Sequence, residues 1–190
     1  GFTEWTNVAK ARPLFRGHLQ PKIPADLGFY DLRMPEVREQ QAQLAREAGI
    51  EGFCYWHYWF GNGKQLMANI INEVIATGKP DFPFMLGWAN HSWYAKTWNS
   101  TDAHVKDRLL IEQQYPGDED LRLHYEYARI AFRDPRYIKE GNKPLFMLYV
   151  AKDIPDHMIE LWNQWAREDG FDGVYFMGNI QANEDEAPYI

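Results

Sequence analysis

Residues 66–90, LMANIINEVIATGKPDFPFMLGWAN, decide the fold class. Leu66, Met67, Ile70, Ile71, Val74 and Ile75 recur at helical intervals and make one wide apolar face. Gly78 stands where that pattern stops, the position at which a left-handed residue ends a helix. Phe82 to Ala89 then runs apolar without polar alternation, as a strand buried on both faces does. A helix followed by such a strand is one repeat of a helix-covered parallel sheet.

The same unit recurs in both directions. Upstream, Val37, Gln41, Leu44, Ala45 and Ala48 carry helical spacing between Pro35 and Gly49, ahead of an aromatic strand from Phe53 to Phe60. Downstream, Leu121, Tyr125, Ala128 and Phe132 share a helical face, and Pro144 to Val150 reads as the next strand. Met158, Ile159, Trp162, Trp165 and Ala166 form a last helix, capped by Asp156 and stopped by Gly170, before a strand from Val174 to Gly178. The class is α/β, with a single domain over residues 1–190.

Strand starts near 51, 83, 144 and 173 give steps of about 32, 61 and 29 residues, against roughly 30 for one βαβ unit. The excess falls between Asn90 and Asp118 and predicts a long functional loop at the carboxyl ends of the strands. No turn reads G-x-G-x-x-G or G-x-x-x-x-G-K, so a doubly wound nucleotide-binding sheet lacks its signal. The alternative is a (β/α)8, TIM-barrel-like fold, present as an incomplete barrel of about four βα units. The segment before the helix that Pro35 opens, which holds Pro13, Pro21 and Pro24, reads as an ordered loop whose preceding strand is missing. Because the first residue is Gly1 rather than Met, a processed or excerpted chain is expected.

Composition narrows the partners. A chain 45% hydrophobic and 25% charged is globular, which excludes long disorder. The net charge of -7 speaks against nucleic acid and anionic membrane surfaces, whose binding needs clustered cations. No apolar run approaches a membrane span. The single Cys54 makes no internal disulfide and is expected to be a small buried residue, which leaves the compartment open with the cytoplasm slightly preferred.

Three aromatic clusters could carry chemistry. In Tyr55-Trp56-His57-Tyr58-Trp59, alternation puts Tyr55, His57 and Trp59 on one face and Trp56 and Tyr58 on the other, so one set is expected to line the barrel interior near its mouth. A packed core accounts for at least half of these rings. A polar ring such as His57 needs a partner or a ligand there. In Trp88-Ala89-Asn90-His91-Ser92-Trp93, followed by Trp98, a buried strand ends as stacking and hydrogen-bonding groups arrive together. Indole faces stack on the C–H side of pyranose rings while Asn and His reach hydroxyls, so the cluster suits a sugar; the alternative is a hydrophobic plug ordering the loop. Glu4 and Trp5, in the opening Gly1 to Asn7, offer a carboxylate beside an indole. No metal and no cofactor is expected, because His57 and His91 lack acidic or Cys partners at ligand spacing. Asp118-Glu119-Asp120 is read as the negative start of a helix, and Glu184-Asp185-Glu186 as a solvated loop.

The blocks Gly1 to Asn7, Pro13-Leu14-Phe15, Gly17-His18, Gln20-Pro21 and Leu27 to Leu32 resemble the WbsX-type family. So do Gly52 to Tyr55, His57 to Phe60, Gly78 to Pro83, Trp88-Ala89-Asn90, Leu110 to Gln113 and Lys143 to Phe146. Members of this family occur with polysaccharide and O-antigen biosynthesis, are often labelled glycosyltransferases, and are similar to the glycoside hydrolase family 99 endo-α-mannosidases. The resemblance implies a (β/α)8 barrel and metal-independent chemistry on α-mannosides, in which the substrate's own 2-hydroxyl attacks with the help of two carboxylates. The family's acids lie near a downstream Asn-Glu-Trp-x-Glu motif that does not occur before Ile190, so the catalytic residues are unknown here. Many relatives carry Glu where this chain has His91. What carries over is substrate binding by Glu4, Trp5, His57, Tyr58, Trp88, Asn90 and Trp93. The expected partner is an oligosaccharide or polysaccharide. A nucleotide-sugar glycosyltransferase and a non-catalytic glycan-binding module are the alternatives. Unpaired strand edges of an open barrel predict self-association.

Overall fold

The computed structural model describes residues 3–95 and 108–179, with Glu4 described by its backbone only. Helix α1 spans Glu4–Lys10 and α2 spans Pro35–Glu47, with Pro35 in its first turn where a missing N–H costs nothing. Strand β1 (Phe53–Trp59) turns through a short antiparallel partner, β2 (Gln65–Leu66), into α3 (Ala68–Thr77) and β3 (Phe84–Trp88). A two-stranded antiparallel ribbon, β4 (Trp93–Ala95) and β5 (Arg108–Ile111), then precedes α4 (Asp118–Phe132). Short β6 (Lys139–Glu140), β7 (Lys143–Leu148), α5 (Met158–Glu168) and β8 (Tyr175–Gly178) complete the described chain.

The sheet runs β2-β1-β3-β7-β6, with β8 also on β7, and the pairs β1–β3, β3–β7 and β7–β8 are parallel. This is the expected α/β class. The expected glycine stops hold: Gly49, Gly78 and Gly170 have φ of 77°, 70° and 90°. Four expectations need correction. A helix, α1, stands in the segment read as loop. Asp156 does not cap α5, whose N-cap is His157 without a side-chain hydrogen bond. The stretch after Asn90 carries β4 and β5 rather than loop alone. Cys54 is exposed, although the surroundings on its inner side push the thiol pKa up to about 11.

Helices α3, α4 and α5 cover one face of the parallel sheet. Ile71, Val74, Leu121, Tyr125, Ala128, Phe132, Met158 and Trp162 meet Phe84, Leu86, Trp88, Phe146 and Leu148 there in one continuous core. Residue alternation sends Cys54, Trp56, Tyr58, Met85, Gly87, Leu145 and Met147 to the opposite, helix-free face.

Candidate functional site

The site is built where β1, β3 and β7 end. The ladder continues one residue past the strands: Ala89 N–H donates to His57 O and Tyr149 N–H to Trp88 O, each at 3.0 Å. Asn90, fully buried, locks these ends together. Its amide Nδ2 donates to Val150 O at 2.8 Å and to the Tyr115 hydroxyl at 3.0 Å, and its Oδ1 accepts from Val150 N–H at 2.9 Å. A single side chain thereby serves both backbone groups of Val150, which otherwise would have to find partners past the end of the ladder.

On the helix-free face of this rim lie five rings. Trp56, 45% exposed, meets Tyr149 edge to face at 5.6 Å, and His91 tilts against the same Tyr149 at 5.1 Å. Tyr58 meets Trp93 edge to face at 5.2 Å. Tyr58, His91, Trp93 and Tyr149 are all half-buried, so none of them is sealed in the core. Gly87 makes room for this arrangement: a Cβ there would lie 2.8 Å from Cys54 Sγ, 3.1 Å from Met147 Cε and 3.3 Å from Trp56 Cε3. Partial burial lowers the pKa of His91, which keeps the imidazole neutral near pH 7, with one nitrogen able to donate and the other to accept. Its Nδ1 is buried without a protein partner. The belt therefore offers stacking faces and a neutral hydrogen-bonding group, and it contains no carboxylate.

The remaining expected residues lie elsewhere. Trp88 is 1% exposed, its Nε1–H donating to Trp59 O at 3.0 Å, so it offers no face to a ligand and supports the rim from beneath. His57 also points into the helix-covered core. Its Nε2 lies 2.7 Å from Nε2 of His124, on α4, and the His124 ring stacks on Trp59 at 4.8 Å. His124 Nδ1 has no partner. An orphaned lone pair costs less than an orphaned N–H, so His124 is the Nε2–H donor and His57 the acceptor. Burial holds His57 down to about 3 and His124 well below the ordinary histidine value. Trp5 packs on the arm ahead of α2, its Nε1–H bound to Tyr30 O at 2.9 Å, away from the belt residues it was expected to join. The side chain of Glu4, Trp98 and the Glu184 to Glu186 loop fall outside the described residues. Asp120, read only as a helix-start charge, also accepts from Trp59 Nε1–H at 3.0 Å and Gly63 N–H at 3.1 Å.

Sequence reading missed Trp56 and Tyr149 as rings of the helix-free face near the strand ends. Alternation separated Trp56 from His57, but which face the helices cover is set by α4, about 60 residues later. Among the described residues no cluster of three or more His, Cys, Asp or Glu could hold a metal. No described helix is long and apolar enough to cross a membrane.

Comparison with known proteins places this geometry in context. The family model described as Glycosyltransferase WbsX matches residues 1–189. The uncharacterized protein WxcX of Xanthomonas campestris pv. campestris, in strains B100 and ATCC 33913, is 40% identical over 190 residues, which are 99% of this chain and 26% of the relative. The chain thus spans about a quarter of the curated relatives it matches. A solved glycoside hydrolase-like protein superposes with a TM-score of 0.52 at 16% identity, over 83% of this chain and 49% of its own. That likeness concerns the fold.

Proposed function

The chain belongs to the Glycosyltransferase WbsX family, and from that premise we propose that it supplies the glycan-binding shelf of a (β/α)8-type protein acting on glycosidic bonds of a polysaccharide. The observation that carries this reading is the half-exposed belt of Trp56, Tyr58, His91, Trp93 and Tyr149 at the carboxyl ends of parallel strands. A pyranose presents C–H groups on its faces and hydroxyls on its rim, which aromatic rings and a neutral imidazole match. The carboxyl-end location is where α/β folds bind ligands. An α-mannoside is the preferred substrate. Glycosidic chemistry needs two carboxylates, one as acid and one as base or nucleophile. The belt supplies neither, so the reading assigns them to the remainder of the parent protein.

Calorimetric titration with α-linked mannooligosaccharides tests this. Binding is expected to weaken about tenfold in Trp56→Ala, the scale of one lost aromatic contact. Absence of binding, or binding unchanged by that substitution, would sink the reading. The family's description favours a second reading, a nucleotide-sugar glycosyltransferase. Manganese-dependent binding of a nucleotide sugar would select it, and sugar binding without turnover by the intact parent would select a non-catalytic module.

A further inference from the structure

The segment between α1 and α2 is chemically unlike the rest of the chain. Residues 10–24 read KARPLFRGHLQPKIP, so Lys10, Arg12, Arg16 and Lys22 are interleaved with apolar residues, and all 27 Asp and Glu lie outside this stretch. Leu14, Phe15, Leu19 and Ile23 are 84%, 64%, 91% and 72% exposed, and the four cations are exposed beside them. Pro13, Pro21 and Pro24 lack the N–H that a helix or ladder needs, and no helix or strand forms between Lys10 and Pro35. The loop is held all the same. Trp5 closes its stem against Phe29 and Tyr30, and near its tip Leu14 N–H donates to His18 Nδ1 at 3.1 Å while Phe15 stacks on the His18 ring at 4.6 Å. Elsewhere Arg33, Arg38, Arg122, Arg129, Arg133 and Arg136 each meet a carboxylate. Among the described residues, Lys10, Arg12, Arg16 and Lys22 have no carboxylate partner.

We propose that this loop docks on an anionic bilayer surface, its apolar side chains entering the acyl boundary and its cations staying among the headgroups. A protein surface laid over the loop would have to supply a carboxylate for each cation it desolvates. A bilayer interface takes both kinds of side chain at once, because it is apolar inward, anionic at its surface and wet enough to hydrate an irregular backbone. The net charge of -7 hides this property, since attraction to a surface acts over about 10 Å and local charge decides it. The loop's stem lies at the same end of the molecule as the aromatic belt. Ala42 and Ala45 of α2 pack with Phe53 and Phe82 at the strand starts, so α2 begins at the carboxyl ends, and Leu32 lines the same groove as Trp56 and Tyr58. Docking by the loop does not depend on the glycan reading.

Co-sedimentation of the longer parent protein with lipid vesicles tests it. Binding to phosphatidylcholine mixed with phosphatidylglycerol is expected to be about tenfold or more tighter than to phosphatidylcholine alone, and to weaken as salt is raised. Arg12→Glu combined with Arg16→Glu should weaken it about tenfold or more, and Leu19→Ser severalfold. The replaced side chains are exposed, so both variants are expected to fold, which an unchanged urea midpoint checks. Titration with mannooligosaccharides should be unaffected by either variant, so failure of one reading leaves the other standing. No binding, as when the rest of the parent covers the loop, would overturn the proposal, and so would equal binding to the two kinds of vesicle. Binding that needs Arg12 and Arg16 but is indifferent to Leu19→Ser would overturn it too, by identifying a soluble polyanion such as an acidic polysaccharide as the partner.

Discussion

The two faces of the parallel sheet use the same kinds of residue for opposite ends. On the helix-covered face, His57, Trp59, Trp88 and Phe146 are buried, and His57 Nε2, Trp59 Nε1–H and Trp88 Nε1–H find partners in α4 or at the strand ends. On the other face Trp56, Tyr58 and Tyr149 come from the same strands or their immediate ends, yet are only partly buried, Trp56 meeting Tyr149 and Tyr58 meeting Trp93 edge to face. Aromatic content therefore does not distinguish a core from a binding shelf. What distinguishes them is whether a helix arrives to cover the rings.

Substitutions can test that contrast, starting where the expected effect is largest. Trp88→Ala should destabilise the fold by about 3–5 kcal/mol in urea unfolding, as deletion of a fully buried aromatic does. A small effect would show that the covered face is looser than its packing. Asn90→Leu should cost about 3 kcal/mol, because it strands both backbone groups of Val150 and the Tyr115 hydroxyl.

Acid should separate the faces next. His57 and His124 are held neutral when folded but protonate near pH 6.5 when unfolded, so below that value the unfolded chain binds more protons and stability falls. The loss from pH 7 to 5 should reach about 2 kcal/mol for each imidazole, and replacing His57 by Phe should flatten the slope. A pH-independent unfolding midpoint over this range would contradict a neutral buried pair. On the open face, Trp56→Ala should shift stability by less than about 1 kcal/mol, since Trp56 is 45% exposed. Loss of folding in that variant would mean the open face is structural after all.

The repeat of helix, glycine stop and apolar strand was legible because each signal is local: Val37 to Gly49, Leu66 to Gly78 and Met158 to Gly170 each announce their own helix. The short strands β2 and β6 were not, because two residues carry no periodicity and their pairing with β1 and β7 is tertiary. The ribbon of β4 and β5 joins segments from either side of residue 100, beyond any local window. At the site, Tyr58, His91 and Trp93 were legible as rings clustered at strand ends. Tyr149 was hidden in Leu145 to Val150, an apolar run in which alternation leaves no mark. His57 was found for a sound reason, its need for a partner, but the partner is His124, separated from it by 67 residues.

Gly87 carries one more consequence, which concerns how sequences of this kind can drift. It is hemmed in at once by Cys54, Trp56 and Met147, one neighbour from each flanking strand plus the indole of the belt. A side chain at position 87 has to be accommodated by at least one of those three, so the four positions are expected to change together rather than independently. Relatives that enlarge residue 87 should shorten residue 54 or 147, or surrender the indole at 56 and with it the shape of whatever lies on that shelf.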